Sequence, residues 1–376
     1  MYLIFKSGNL FSPLLLISIL PIIFTGCEIN QQNKVIKTDN ETLNELLQGA
    51  PLQLINLDKI IPDSIYIDTD NILGIDSYSD FPALPHLYGV NGMTMAGDYL
   101  YIGDQRHNEI WVMDKLGKWI RKKGGEGSGP GEFRGLTGVY SNSRYIYSMD
   151  IGNQRINVYN HQLLYKNSID ASIIWPFNDM SVDDSYLYLP EERSHEKMIE
   201  IREAVTPYRK KNSAIPRLIP QGMQPIVYNK YKITSGHHEL IVFGYSSLPF
   251  VFIFDKNFNQ LLTIVLESDI YHDFDNPSVK PVASLGNEIH SFSQYFEGLF
   301  LMDDGSLFIA KQPYLFSLKW NGNKFDFERS WRFTYQSPID RHKSPQNVFV
   351  HNVVADEDAM YISSMFTPYV FKVHLK

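Results

Sequence analysis

The sequence predicts an all-β fold: a six-bladed β-propeller of four-stranded antiparallel blades, its last blade closed by an N-terminal strand. Three observations lead there. Short runs such as "DYLYIGD" and "RYIYSMD" alternate apolar and polar residues, with Gly, Asn and Asp turns between them. Similar units recur, "DQRHNEIWVMD" from Asp104 and "DIGNQRINVYN" from Asp150 lying 46 residues apart. The final unit, "NVVADEDAMYISSMFTPYVFKVHLK", holds only three strands, so a fourth must come from elsewhere in the chain.

The chain starts with a segment outside this pattern. Lys6 precedes the apolar run Leu10 to Phe24, which Pro13 and Pro21 interrupt. That run is shorter than the roughly 20 residues a membrane-crossing helix needs, and it reads as an export signal over residues 1–26. "TGC" follows and ends at Cys27, the only cysteine in the chain, which therefore has no internal disulfide partner. Small residues directly before this cysteine resemble a bacterial lipobox, although Phe24 replaces the usual leucine. The resemblance implies cleavage before Cys27 and acylation of its thiol, anchoring the protein to a lipid bilayer in the cell envelope, periplasmic or at the cell surface. Residues 27–49 are polar and read as a tether, leaving 50–376 for the propeller.

Of the 376 residues, 44% are hydrophobic and 14% aromatic, enough for a large core rich in strand-favouring side chains. The formal net charge of −8 repels phosphate backbones, and Arg209-Lys210-Lys211 is too short a basic run to offset it. Nucleic-acid binding is therefore not expected.

Along the chain the units begin at Asn91-Gly92, Thr137-Gly138, Asn178-Asp179, near Tyr231, at Glu297-Gly298 and at His351-Asn352. Either "LQLINLD" (Leu52–Asp58) or "SIYIDTD" (Ser64–Asp70) could supply the closing strand. Between the first two units lies "GGEGSGPGEF", Gly124 to Phe133. It has Pro130 where a dinucleotide loop needs glycine, no Lys-Ser/Thr ending, and no helix after it to face a phosphate. It reads as a blade-to-blade connection.

Gly129-Pro130-Gly131-Glu132-Phe133, with Asp150, Gly152, Asn153, Arg155 and Ile156, resembles the NHL-repeat family of propellers. The match covers about one blade and is partial in the blade before it, at Asp104, Asn108 and Ile110. Together with the lipobox, the chain looks like the six-bladed, TolB-like propeller lipoproteins of Gram-negative bacteria. That resemblance implies a fold more than an activity.

In a four-stranded meander, the start of the first strand and the end of the second share one face. That face carries the mouth of the central channel. The strand starts place Asn91, Asn178, Asp179, Glu297, His351 and Asn352 there, and the turns after the second strands add Arg106, His107 and Gln312. Three readings compete. Oxygen donors Asn91, Asp179, Glu297 and Asn352 could ring a Ca²⁺ ion, as in the related gluconolactonase-like hydrolases. The mouth could bind a peptide or glycan without catalysis, with Tyr88, Tyr295, Phe296 and Tyr314 near its loops. Or the blades could be a platform for an envelope protein, docked on the long stretches Glu191–Pro225 or Glu267–Gln294. No catalytic motif appears. His237-His238 reads as a tight turn, because adjacent strand residues point to opposite faces. "HDFDN" (His272–Asn276) lacks the loop length of a Ca²⁺ hand. Arg155 is expected to bind neighbouring turns, and Asp104 and Asp150 to cap the turns that follow them.

Overall fold

A computed structural model of the protein describes residues 41–73, 90–171, 173, 178–218, 229–236, 239–267, 295–337, 344–364, 367 and 369–375. Residues 1–40, with the segment read as an export signal and Cys27, lie outside the described residues, as do Tyr88, His237-His238, His272–Asn276, most of Glu267–Gln294 and the end of Glu191–Pro225. No helix among the described residues is long and apolar enough to cross a membrane.

The chain forms six antiparallel blades, each built in sequence order from the inside outward. The first blade comprises Gly92–Ala96, Tyr99–Asp104, Glu109–Asp114 and Trp119–Gly124. The second comprises Leu136–Ser141, Ile146–Asp150, Arg155–Tyr159 and Tyr165–Asp170. The third runs from Ser181–Val182 to Lys210–Pro216, the fourth from Tyr231–Ser235 to Gln260–Glu267, and the fifth from Gly298–Leu301 to Phe325–Tyr335. The sixth contributes Val350–Ala355, Ala359–Ser364 and Val370–His374. The innermost strands meet in ring order, and that of the sixth blade packs against that of the first.

The ring closes from the N-terminal side, but with a different strand from either predicted one. Ile72–Leu73 pairs antiparallel with Val370–Phe371 and becomes the sixth blade's outer strand. Leu52–Asn56 instead adds a parallel fifth strand to the fourth blade, and Asp63–Ile67 does the same for the fifth blade. Both predicted segments alternate as edge strands do, and both sit on sheet edges. Sequence pattern does not distinguish the edge that completes a blade from one that merely covers it.

Helix Glu41–Gln48 lies at the end of the segment read as a tether. Leu43 and Leu47, one helical turn apart, are buried in the core shared by the third and fourth blades. The part of the tether from Glu41 onward is thus docked on the propeller.

The core is divided into six clusters, one between each pair of neighbouring blades. Each sheet is therefore covered on both faces. Ile241–Tyr245 and Phe250–Phe254 are accordingly buried along their whole lengths instead of on alternate residues. Near the axis, blades are joined by short side chains. Thr94 bonds Ser141 at 2.6 Å, Ser181 bonds Ser235 at 2.8 Å, and the Leu301 amide donates to the Thr234 hydroxyl at 3.1 Å. These bonds satisfy groups that the diverging sheets cannot pair through backbone ladders.

Candidate functional site

The innermost strands surround one channel of about 1530 Å³. At the mouth it is lined by one turn from each blade: Asn91, Thr137, Asp179, Lys230, Glu297 and His351. Six strands starting on one face converge their first side chains there, which is how a polar site can form on a fold with an apolar interior.

Of the residues predicted from sequence, Asn91, Asn178, Asp179, Glu297, Gln312, His351 and Asn352 line the channel. Arg106 and His107 are not among its lining residues. Asp104 holds their turn, accepting from the Arg106 and His107 amides at 3.0 and 3.1 Å and meeting the His107 Nδ1 at 2.6 Å. Gln105 is the residue of this turn that reaches the channel, where it accepts from the Asn91 amide. The turn is tighter than the sequence suggested and aims its first residue inward. Several mouth groups are engaged with the protein itself. The Asn178 side-chain amide donates to Glu192, and that of Asn352 to the Val90 carbonyl and the Ser363 hydroxyl. Tyr140 donates its hydroxyl to Asp179.

Of the predicted aromatics, Tyr295, Phe296 and Tyr314 do not line the channel. Phe296 is fully buried between the fourth and fifth blades, Tyr295 donates to the Leu266 carbonyl, and Tyr314 packs against the same core. Tyr140, Tyr186 and Phe300 line it instead. Lys197–Glu203 and Lys210–Pro216, within the long stretch after Glu191, are ordinary outer strands.

Lys230 and Lys232 were missed. They flank Tyr231 at the start of the fourth blade, where sequence left the strand start uncertain. The alternation Lys-Tyr-Lys carries the signal: Tyr231 is buried in the core while both lysines line the channel. Burial pulls Lys230 down to about 8, with Lys232 adding repulsion and Glu297 opposing it. Burial likewise lowers Lys311, against the pull of Glu297. It raises Glu297 despite the lysines beside it. His351 falls to about 3 through burial, then through Lys232 and Lys230, so its imidazole is neutral at physiological pH. Lys232 faces Asp179 at 3.6 Å. Among the described residues no three His, Cys, Asp or Glu side chains converge as a metal site.

Lys230 therefore costs the fold stability. Its folded value lies below the ordinary 10.5, so the penalty is complete below pH 8 and fades as pH rises toward 10.5. Lys230→Met is expected to stabilise the protein by about 3 kcal/mol at pH 7. The gain should vanish by about pH 11 in urea titrations run across pH. A charged side chain held at a cost to the scaffold marks this position as a candidate site.

The glycine-rich loop is structural. Arg155 donates from Nε to Asp150 at 3.0 Å and from its two terminal nitrogens to the carbonyls of Ser128, Gly129 and Glu132 at 3.1, 2.8 and 2.8 Å. Asn153 ties Gly127 to Asp150, and Asp150 accepts from the Arg134 amide. A side chain at Gly152 would meet the Arg134 carbonyl at 1.9 Å, so only glycine fits that turn. These bonds use the loop's groups to fasten the first blade to the second.

Residues 86–224 match a family profile described as a six-bladed beta-propeller, DUF5128. No curated protein matches the chain. Solved structures align over most of its length. A Bacteroides fragilis protein whose description suggests export is 12% identical, over 80% of this chain and 88% of that one, with a TM-score of 0.49. A DUF4221-family protein of Bacteroides vulgatus is also 12% identical, over 78% and 94%, with a TM-score of 0.48. Virginiamycin B lyase of Staphylococcus aureus is 9% identical, over 77% and 96%, with a TM-score of 0.44.

Proposed function

We propose that the protein is a lipid-anchored binding protein of the cell envelope that recognises its ligand, without catalysis, at the channel mouth. In kind it resembles the TolB-like and NHL-repeat propeller lipoproteins. The observation that carries this reading is the convergence of polar side chains from all six innermost strands on one channel. A Ca²⁺-dependent hydrolase fits this mouth poorly. Of its four oxygen donors, Asp179 already holds the Tyr140 hydroxyl and faces Lys232. Two lysines lining the same mouth oppose a divalent cation.

The anchor reading rests on the lipobox-like sequence at Cys27. The described chain starts with helix Glu41–Gln48, and Leu52–Asn56 runs parallel to the fourth blade's outer strand, toward the mouth face. The tether therefore joins the propeller on the side opposite the mouth, which suits a site presented away from a membrane. Cys27→Ala is expected to move the protein from the membrane to the soluble fraction on ultracentrifugation; unchanged partitioning overturns the anchor. For the mouth, Asn91→Trp or Asn178→Trp should abolish binding found on a glycan or peptide array. Retained binding by both folded variants overturns recognition at this site.

A further inference from the structure

Resting on the mouth reading above, we propose that the mouth seats the carboxylate of an acidic saccharide against Lys230, Lys232 and His351. All three side chains line the channel. Lys230 and Lys232 lie two residues apart at one strand start, so they project to the same side. His351 comes from the sixth blade, and the charged groups acting on it are both ammonium groups, those of Lys232 and Lys230. Two ammonium groups thus meet at this corner of the mouth, with Asp179 and Glu297 as their neighbouring carboxylates.

The donors needed are present. Lys232 faces Asp179 at 3.6 Å, longer than a hydrogen bond, and Asp179 also holds the Tyr140 hydroxyl and the Met180 amide. His351 makes no hydrogen bond to a described residue, so a neutral imidazole keeps an N–H for an incoming oxygen. An anion arriving here would meet desolvated cations, where a charge-assisted hydrogen bond is strong. Asp179 and Glu297 line the same mouth, which favours a single negative charge over a phosphate dianion.

The rest of the ligand is argued from the remaining lining. Thr137 lines the channel, and its buried hydroxyl has no hydrogen-bond partner among the described residues. The side-chain amides of Gln105 and Gln312 line the mouth as well and can meet the hydroxyls of a saccharide.

The test uses the purified full chain in non-ionic detergent and isothermal titration with uronic-acid trimers (galacturonic, guluronic and mannuronic), with neutral galactotriose, and with triglutamate. At least one uronate trimer is expected to bind tenfold or more tighter than galactotriose. Lys232→Met should erase that preference and Lys232→Arg should retain it. Lys230→Met should also lose the trimer while its melting temperature rises, which separates lost binding from lost folding. Equal affinity for galactotriose, tighter binding of triglutamate, or no binding of any uronate trimer overturns the proposal. If a neutral sugar or peptide binds in a way that Asn178→Trp abolishes and Lys232→Met does not, the acidic ligand falls and the mouth reading stands. If a ligand binds equally well to both variants, both readings fall.

Discussion

Arg155→Ala should cost about 3–5 kcal/mol of unfolding free energy, the size expected when one partner of a buried ion pair is removed. Arg155 is 15% exposed and Asp150 fully buried, so water cannot replace the lost guanidinium freely. The substitution also strips hydrogen bonds from three carbonyls of the glycine-rich loop. Arg155→Lys should recover only part of the loss, since an ammonium cannot reproduce the planar fork that reaches Asp150 and three carbonyls together. Urea denaturation followed by tryptophan fluorescence reads both variants. A loop built to hold a phosphate would behave differently: Arg155→Ala would leave stability nearly unchanged and weaken nucleotide binding. An unchanged urea midpoint would therefore reopen the phosphate reading.

This loop illustrates what was legible in the sequence. Arg155 was expected to bind neighbouring turns, and it stands at the start of a third strand beside the preceding blade-to-blade connection. Asp104 was readable too, sitting at the end of a second strand and capping the turn after it. Asp150 holds the same place but makes no cap to its own turn; it accepts instead from the Arg134 amide and from Asn153 and Arg155. The mouth was legible only where strand starts were. Glu297 and His351 follow apolar-polar switches that mark their strands. Lys230 follows residues 219–228, where no alternation sets a register, so its blade had no anchor in sequence. The aromatics failed for a physical reason: Phe296 and Tyr314 lie near mouth loops in sequence but are drawn into the interblade core by burial. Likewise the closing strand is only two residues long, too short for periodicity to reveal. Its identity depends on which sheet edge remains open when the rest of the ring has formed.

That dependence gives the second large effect. A chain starting at Val90 lacks Leu52–Asn56, Asp63–Ile67 and Ile72–Leu73, and so exposes the outer strands of the fourth, fifth and sixth blades. Exposed edges of this length template intermolecular pairing. The truncated chain is expected to elute as aggregate on size exclusion and to show no cooperative thermal transition. A chain lacking only residues up to Asn56 separates closure from coverage. It loses the docked helix and one parallel strand but keeps Ile72–Leu73 in the sixth blade. It should stay monomeric with a lowered, still cooperative transition. Ile72→Asp combined with Leu73→Asp in the full chain tests closure without shortening it. These residues are 4% and 7% exposed, and burying two carboxylates there costs more than the short strand returns. That variant should resemble the Val90 truncation more than the shorter one, although it alters only two residues. If it instead melts like the unaltered protein, the ring is held by its six interblade cores alone and the borrowed strand is dispensable.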